Sequence, residues 1–579
     1  MTNSLFLPAT RDEMLERGWD YVDVVLVSGD AYIDHPSFGI ALIGRWLEAH
    51  GYRVAILSQP RYHNPDDFKR FGSPRLFFGI TAGNMDSIVS NYTGNAKVRD
   101  SDDYSPDGNP YFGKEKSRTS RRRPDRATIF YSNLARAAYG NIPIVLGGLE
   151  ASLRRFIHYD YQQAKLRASV LTDAKADLLV FGMGERAVLD IAKRLRQGRG
   201  LKDISGTCER LSDKEIKERD FAFAEPPVVL PSWDDIGKDL SKFMGAEIEL
   251  EKHARILSPV SIFQRQQAMW VLQNKPAVPL SIGELDEIYS LPFTRAPHPS
   301  AGDVPAYRMI RHSVSIVRGC SANCFFCAIT RHQGPLVISR SHESVIEEVK
   351  RISEMPDFNG TISDLGGPTA NLYATSCKNF SACKRHDCLF PGICSNLRVN
   401  ENAFLELLRE AKKVKGVKHV FVSSGLQMEL LLRTPRLLEK LIAHHTPGTM
   451  KIAPEHTEGK VLRLMHKQSS ELLSEFLKTC RKITRKLGKK IHFTPYFISA
   501  HPGCTIRDME ALAEKIKKMG LSVQLFQDFT PTPGTLSTAM YVTGLDYESL
   551  KPVYVPKKTT ERRAQRDVLE RIRSKNKGS

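Results

Sequence analysis

The sequence predicts an α/β fold, with a doubly wound, Rossmann-like N-terminal domain followed by a partial (β/α)6 TIM-like barrel. Three observations carry this. Short apolar strand patterns alternate with amphipathic helix patterns from Tyr21 to Leu195, a second alternating series begins near His312, and a Pro-punctuated stretch separates them. At 579 residues the chain is too long for one ordinary domain. Its 41% hydrophobic and 26% charged content excludes collagen-like, disordered and disulfide-scaffold classes. The expected division is an α/β domain at 1–210, a connector at 211–305, the barrel at 306–545 and a basic tail at 546–579.

In the first series, Tyr21 to Ser28 reads as a buried strand. Ile40, Ile43, Trp46 and Leu47 then line one helical face before Gly51. Further strands are expected at Arg53 to Leu57, Leu76 to Ile80, Ile142 to Leu146 and Ala176 to Phe181, with a helix from Glu185 to Leu195. Asn95 to Asp125, polar and holding Arg121, Arg122 and Arg123, reads as a long surface loop. In the second series, strands are expected at 313–318, 359–365, 417–423, 449–453, 490–498 and 521–526. Helices are expected at 342–354, 401–414, 434–443, 469–487 and 506–519, the first with Val345, Ile346, Val349 and Ile352 on one face. In such barrels chemistry sits at the C-terminal ends of the strands.

Seven of the ten cysteines fall between Cys320 and Cys394. The start has no basic region followed by an apolar core, and no apolar run approaches a membrane span, so a cytoplasmic setting is expected. In a reducing compartment, clustered cysteines point to metal or catalysis before disulfides. Cys320, Cys324 and Cys327 form C-x3-C-x2-C directly after the first barrel strand. Three thiolates are one short of a closed tetrahedral zinc site. They suit an iron–sulfur cubane with one iron left open to a substrate. Gly319 lets the backbone turn sharply, and Phe326 can shield a cluster from water.

The C-x3-C-x-aromatic-C loop at the end of the first strand resembles the radical S-adenosylmethionine (SAM) superfamily. The stretches LPFTRAPHP, RGCSANCFFCAIT, SDLGGPTANLY, KIAPEHTEGKVLRLMHK and PTPGT are similar to its YgiQ-type family, whose substrate is not established. The resemblance implies a 4Fe–4S cluster on Cys320, Cys324 and Cys327. It implies reductive cleavage of S-adenosylmethionine to a 5′-deoxyadenosyl radical that abstracts hydrogen from an unknown substrate, and a flavodoxin- or ferredoxin-type electron donor. Gly366, Gly367 and Pro368 resemble the family's motif for the methionyl amino group, with Pro368 where an acid is usual, so that contact would come from backbone carbonyls. Ser424 and Gly425 close the third strand, where ribose contacts are often placed. Glu455 and His456 follow the fourth as candidates for catalysis, and the turn at Ser499 to Gly503 is similar to the adenine-side turn.

Cys377, Cys383, Cys388 and Cys394, with His386 among them and Lys378, Lys384 and Arg385 adding positive charge, form a second group. It reads as a zinc site, a second iron–sulfur site, unligated thiols or a disulfide. Cys208, Cys480 and Cys504 read as small buried hydrophobes. The N-terminal domain, with Gly147-Gly148 and Gly182 to Glu185 after strands, is similar to the cobalamin-binding domains fused to some radical SAM enzymes. Its Asp34, His35 and Gly39 do not match the D-x-H-x-x-G spacing used for cobalt ligation. The expectation is therefore a degenerate domain that shapes or covers the barrel mouth, against cobalamin, with base-off cobalamin as the alternative.

Lys+Arg exceeds Asp+Glu by +19, which admits a polyanionic partner. The tail from Lys551 onward reads as a solvated helix with a frayed end. Two other functions fit parts of the pattern. One is a methylthiotransferase-like RNA- or protein-modifying enzyme with an auxiliary cluster, although only Cys208 precedes Cys320. The other is a metal-stabilised nucleic-acid-binding protein, although neither basic stretch interleaves aromatic residues for base stacking.

Overall fold

The computed structural model describes residues 5–254, 258–379, 383 and 387–575. It divides into two compact units, residues up to 280 with 287–311, and residues 281–286 with 312 onward.

The first unit is built on a nine-stranded sheet. Its strands are β1 (Val24–Ser28), β2 (Val54–Ser58), β3 (Phe77–Thr81), β4 (Ile144–Leu146), β5 (Leu178–Val180), β6 (Thr207–Leu211), β7 (Val228–Leu230), β8 (Ile262–Arg265) and β9 (Trp270–Gln273), in the order β7-β8-β9-β6-β5-β4-β3-β1-β2. From β2 to β5 neighbouring strands are parallel, as the alternation predicts. Both sheet faces are covered: Leu26 and Val54 belong to one apolar core, while Val25, Val27 and Phe78 belong to another. Helix α1 (Gly39–Ala49) buries Ile40, Trp46 and Leu47, and α2 (Glu185–Arg196) buries Val188 and Ile191.

Two expectations about this unit are corrected. The stretch 211–305 is not a mere connector. Strands β7, β8 and β9 extend the sheet, β9 pairing antiparallel with β6. The segment 95–125 is not simply a surface loop either. Arg123 is 1% exposed in its side chain and donates to Asp30 (2.6 Å), Asp102 (2.9 Å) and Ala82 O (3.2 Å). A guanidinium enters the interior only when its donors are met, and these two carboxylates meet them. Arg126 and Arg154 are likewise buried against Asp160 and Asp86. These three guanidinium groups are thus turned to internal carboxylates rather than displayed to a polyanion.

The second unit carries the barrel series: β10 (Ser313–Ser315), β11 (Thr361–Ile362), β12 (Asp364–Gly366), β13 (His419–Val420), β14 (Thr449–Glu455), β15 (His492–Ser499) and β16 (Leu525–Asp528). β11 and β12 are two halves of the second barrel strand. β10 pairs parallel with β12, β11 with β13, and β14, β15 and β16 pair in sequence. Between them lie α3 (His342–Ser353), α4 (Glu401–Lys413), α5 (Pro435–Lys440), α6 (Gly459–Met465), α7 (Glu471–Leu487) and α8 (Ile506–Met519). Val345, Val349 and Ile352 of α3, Leu407 and Leu408 of α4, and Phe476 of α7 share one core with Ile362, Val420, Ile452 and Phe497 of the strands.

The tail is also corrected. Helix α9 (Thr559–Lys575) is docked rather than free, with Leu569 fully buried. Gln565 accepts from Ala500 N (2.8 Å) and donates to Cys504 O (2.7 Å), so α9 secures the turn after β15.

Candidate functional site

The three-cysteine loop leaves the first barrel strand through Val317-Arg318, which pairs with Ile338-Ser339. Gly319 then adopts φ +78°, where a Cβ would lie 1.8 Å from Leu336 O, so this turn tolerates glycine alone. The loop is tied down on both sides. Cys320 N donates to Gly334 O (3.2 Å), Phe325 N to Met465 O (3.1 Å), and Ser537 N to Phe325 O (3.1 Å). Cys327 N donates to Cys324 O (3.1 Å), and Cys327 begins the helix Ala328–Gln333.

Cys320 is buried, with its Sγ 3.3 Å from Thr369 Oγ1. Cys324 and Cys327 are partly exposed. Burial pushes the Cys320 and Cys324 thiols up, with Thr369 opposing at Cys320 and Lys467 at Cys324. Lys467 answers these charges. Burial works to lower its ammonium, but Cys324, Glu455 and Glu429 outweigh that and push it up. Glu455, at φ +64° and with a buried Oε2 that meets no partner, is pushed up to about 7 by burial, Lys467 opposing. Cys324, Glu429, Gln427, His456 and Lys467 are among the residues lining a pocket of about 460 Å3, part of it open to solvent.

The Gly366-Gly367-Pro368 segment and Ser424-Gly425 come together at the ends of adjacent strands. Ser424 N donates to Asp364 Oδ1 (3.2 Å), Gly367 N reaches Ser424 Oγ (3.4 Å), and Ala370 N donates to Gly425 O (3.0 Å). A Cβ on Gly366 would lie 2.2 Å from Ser424 Oγ, and one on Gly367 would lie 2.6 Å from Val317 O. Two of the motif's carbonyls are engaged within the protein: Gly366 O by Ile316 N (2.8 Å) and Pro368 O by the Thr369 hydroxyl (2.8 Å). Phe326 packs on the barrel core, its ring centroid 6.4 Å from that of His501.

Glu455 and His456 part ways. Glu455 interacts with Cys324 and Lys467, whereas His456 Nε2 lies 3.5 Å from Cys504 Sγ, and its Nδ1 accepts from Glu458 N (3.0 Å). With Nδ1 an acceptor, Nε2 carries the proton and faces the sulfur as a donor. Cys504, expected as an isolated buried hydrophobe, is buried but has this imidazole as a neighbour. Sequence reasoning missed Lys467, Thr369 and Asp364 as members of the site. Lys467 lies within the KIAPEHTEGKVLRLMHK stretch, yet only folding brings it beside Cys324.

In the second group, Cys377 pairs with Leu397 across two short strands, Cys383 is exposed, and the buried Cys394 donates its N–H to Cys388 O (2.8 Å). Lys384, Arg385 and His386 lie outside the described residues. Among the described residues, no three Cys, His, Asp or Glu side chains converge as they would around one ion.

A β/α barrel with three cysteines on the loop after its first strand defines the radical SAM class of iron–sulfur enzyme. The "Radical SAM N-terminal" model matches residues 6–313 and the "Radical SAM superfamily" model residues 314–516. The chain is 46% identical over 574 residues to the UPF0313 protein GSU2873 of Geobacter sulfurreducens, spanning 97% of this chain and 92% of that one. It is 44% identical over 565 residues to a UPF0313 protein of Methanocella arvoryzae, with the same shares. The chain belongs to this UPF0313 family of radical SAM proteins.

Among solved structures, the fold is similar to that of the radical S-adenosylmethionine methyltransferase TsrM from Kitasatospora setae. The TM-score is 0.53 at 14% identity, over 94% of this chain and 90% of that one. That structure has cobalamin and a 4Fe–4S cluster bound, which withdraws support from the expectation against cobalamin. In the present chain Asp34 is paired with Arg45 (2.6 Å), and His35 Nδ1 accepts from Ser37 N (3.0 Å). No helix among the described residues is long and apolar enough to cross a membrane.

Proposed function

We propose that Cys320, Cys324 and Cys327 hold a 4Fe–4S cluster, and that the barrel mouth binds S-adenosylmethionine for reductive cleavage and hydrogen abstraction from a substrate still to be found. The observation that carries this reading is the fixed loop after the first strand. It holds three thiols in a partly desolvated site next to Lys467. A desolvated thiol resists ionisation unless a metal takes the proton's place.

Held by Cys320, Cys324 and Cys327, a cluster would supply the single electron for reductive cleavage of the sulfonium C–S bond of S-adenosylmethionine. The chain's own residues do the rest. Lys467 offsets the thiolate charge, and Phe326 limits water access. Gly366 and Gly367 bring backbone close to the cofactor, while Pro368 withholds the usual acid. Ser424 and Gly425 bound the site at the third strand, and Glu455 presents its unpartnered Oε2 as an acceptor or, protonated, a donor. The electron comes from a flavodoxin- or ferredoxin-type donor.

Anaerobic reconstitution of the full chain with iron and sulfide tests the reading. About four iron atoms per chain, and an electron paramagnetic resonance signal of the reduced protein that changes on adding S-adenosylmethionine, are expected. A reconstituted chain whose signal ignores S-adenosylmethionine would overturn it.

A further inference from the structure

We propose that Asp387 is a positioning residue for the three-cysteine loop, so that the seating of Cys324 depends on the arm that carries the second cysteine group. The inference rests on the reading of that loop as the cluster site. Asn323, the residue before Cys324, sits at φ +49°, a left-handed conformation that non-glycine residues keep only when their surroundings impose it. Its Nδ2 donates to Asp387 Oδ1 at 2.8 Å. The other carboxylate oxygen of Asp387 lies 3.0 Å from His466 Nε2. His466 is itself left-handed, at φ +59°, where it ends α6. One carboxylate from the arm therefore bonds a strained position on the loop and lies against a second, on the helix end to which the loop is bonded.

The surroundings reinforce this point. The His466 ring lies between Phe325 of the loop (centroids 4.1 Å apart) and Phe390 of the arm (3.9 Å). Leu389 shares an apolar cluster with Cys320, Ala322, Leu372 and Leu430, and its carbonyl accepts from Gln468 Nε2. The arm is closed at its base by the pairing of Ser376-Cys377 with Leu397-Arg398. Within it, Cys394 N is bonded to the carbonyl of Cys388, the residue next to Asp387. The arm's contact with the loop and with His466 is made by Asp387, Leu389 and Phe390, which lie between its cysteines.

The test compares wild type with Asp387→Ala, Asp387→Asn and Asn323→Gly in the full chain. Asn323→Gly keeps the left-handed backbone while deleting the amide donor. Asp387→Asn keeps an acceptor for it. Reconstituted protein is read by the rate at which a chelator removes iron and by the paramagnetic line shape of the reduced state. The metal-free protein is read by the alkylation rate of Cys324 with N-ethylmaleimide, mapped by peptide mass. Asp387→Ala and Asn323→Gly are expected to lose iron about tenfold faster or more, as when partners of metal ligands are removed, and to alter the line shape. Alkylation of Cys324 should quicken in both, with Asp387→Asn close to wild type. Wild-type rates and line shape in both Asp387→Ala and Asn323→Gly would overturn the proposal. Should Asp387→Ala fail to fold, the contrast between Asn323→Gly and Asp387→Asn decides it in the same way. A wild type that takes up no iron would sink the cluster reading itself, while the alkylation comparison still decides the role of Asp387.

Discussion

The carboxylate of Asp364 accepts the backbone N–H of Ser423 at 2.7 Å, tying the end of the second barrel strand to the end of the third. Ser424 N adds a second bond to the same oxygen at 3.2 Å, so the two turns form one rigid wall. Gly366 lies against it, and a Cβ there would stand 2.2 Å from Ser424 Oγ and 2.3 Å from Asp364 Oδ2. Asp364 cannot yield without breaking its backbone bonds. Gly366→Ala is expected to cost about 1–3 kcal/mol in denaturant unfolding, in line with overpacking elsewhere. It should also weaken S-adenosylmethionine binding by calorimetry. An unchanged affinity would remove these strand ends from the cofactor site.

Gly319→Ala has a sharper expected outcome. Its backbone is left-handed and the new methyl meets a backbone oxygen, Leu336 O at 1.8 Å, which no rotamer change can relieve. Iron retained after reconstitution and gel filtration should fall well below wild type. Full iron content would show that this turn does not set the loop.

Arg123→Ala probes the first unit. It leaves Asp30 and Asp102 buried without their cation, and breaking a buried pair from one side costs about 3–5 kcal/mol. Burial already pushes Asp30 up to about 6 with Arg123 opposing, so removal of the cation drives it further in that direction. A large fall in the unfolding midpoint is expected at neutral pH, with part of the loss recovered on acidification as Asp30 takes up a proton.

Two buried histidines set an acid limit on the second unit. Burial pulls His456 and His501 down to about 3, and His501 is held neutral between Pro502 O (2.8 Å) and Ser537 Oγ (2.7 Å). Because the folded values lie below the ordinary imidazole value, the unfolded chain binds the extra protons. The stability these groups contribute is full above about pH 6.5 and is lost as the pH falls from there towards 3, by at most about 1.4 kcal/mol per pH unit per histidine. His501→Gln should flatten the pH dependence of the denaturation midpoint in that window. An unchanged slope would mean that His501 is protonated in the fold.

The barrel was legible because its helices carry clean apolar stripes: Val345, Val349 and Ile352 are all fully buried, and α3, α4, α7 and α8 fall within a few residues of where periodicity puts them. The three-cysteine loop could be placed after the first barrel strand from spacing, and it lies there. Strands β7 to β9 were not: each is only three or four residues long, and β9 joins both β8 and β6 antiparallel beyond a parallel core. Helix α9 hid its docking because Leu569 and Gln565 make too thin a stripe among charged neighbours. The burial of Arg123, and the positions of Lys467 and Asp387, depend on partners tens of residues away or more, which no local pattern reports.

Release of 5′-deoxyadenosine reports directly whether the three cysteines support cleavage of S-adenosylmethionine. The anaerobically reconstituted full chain, reduced in the presence of S-adenosylmethionine, is compared with the Cys320→Ala, Cys324→Ala, Cys327→Ala triple variant. 5′-Deoxyadenosine is expected from the wild type and none above background from the variant. Equal amounts from both, or none from a wild type that holds its cluster, would contradict it.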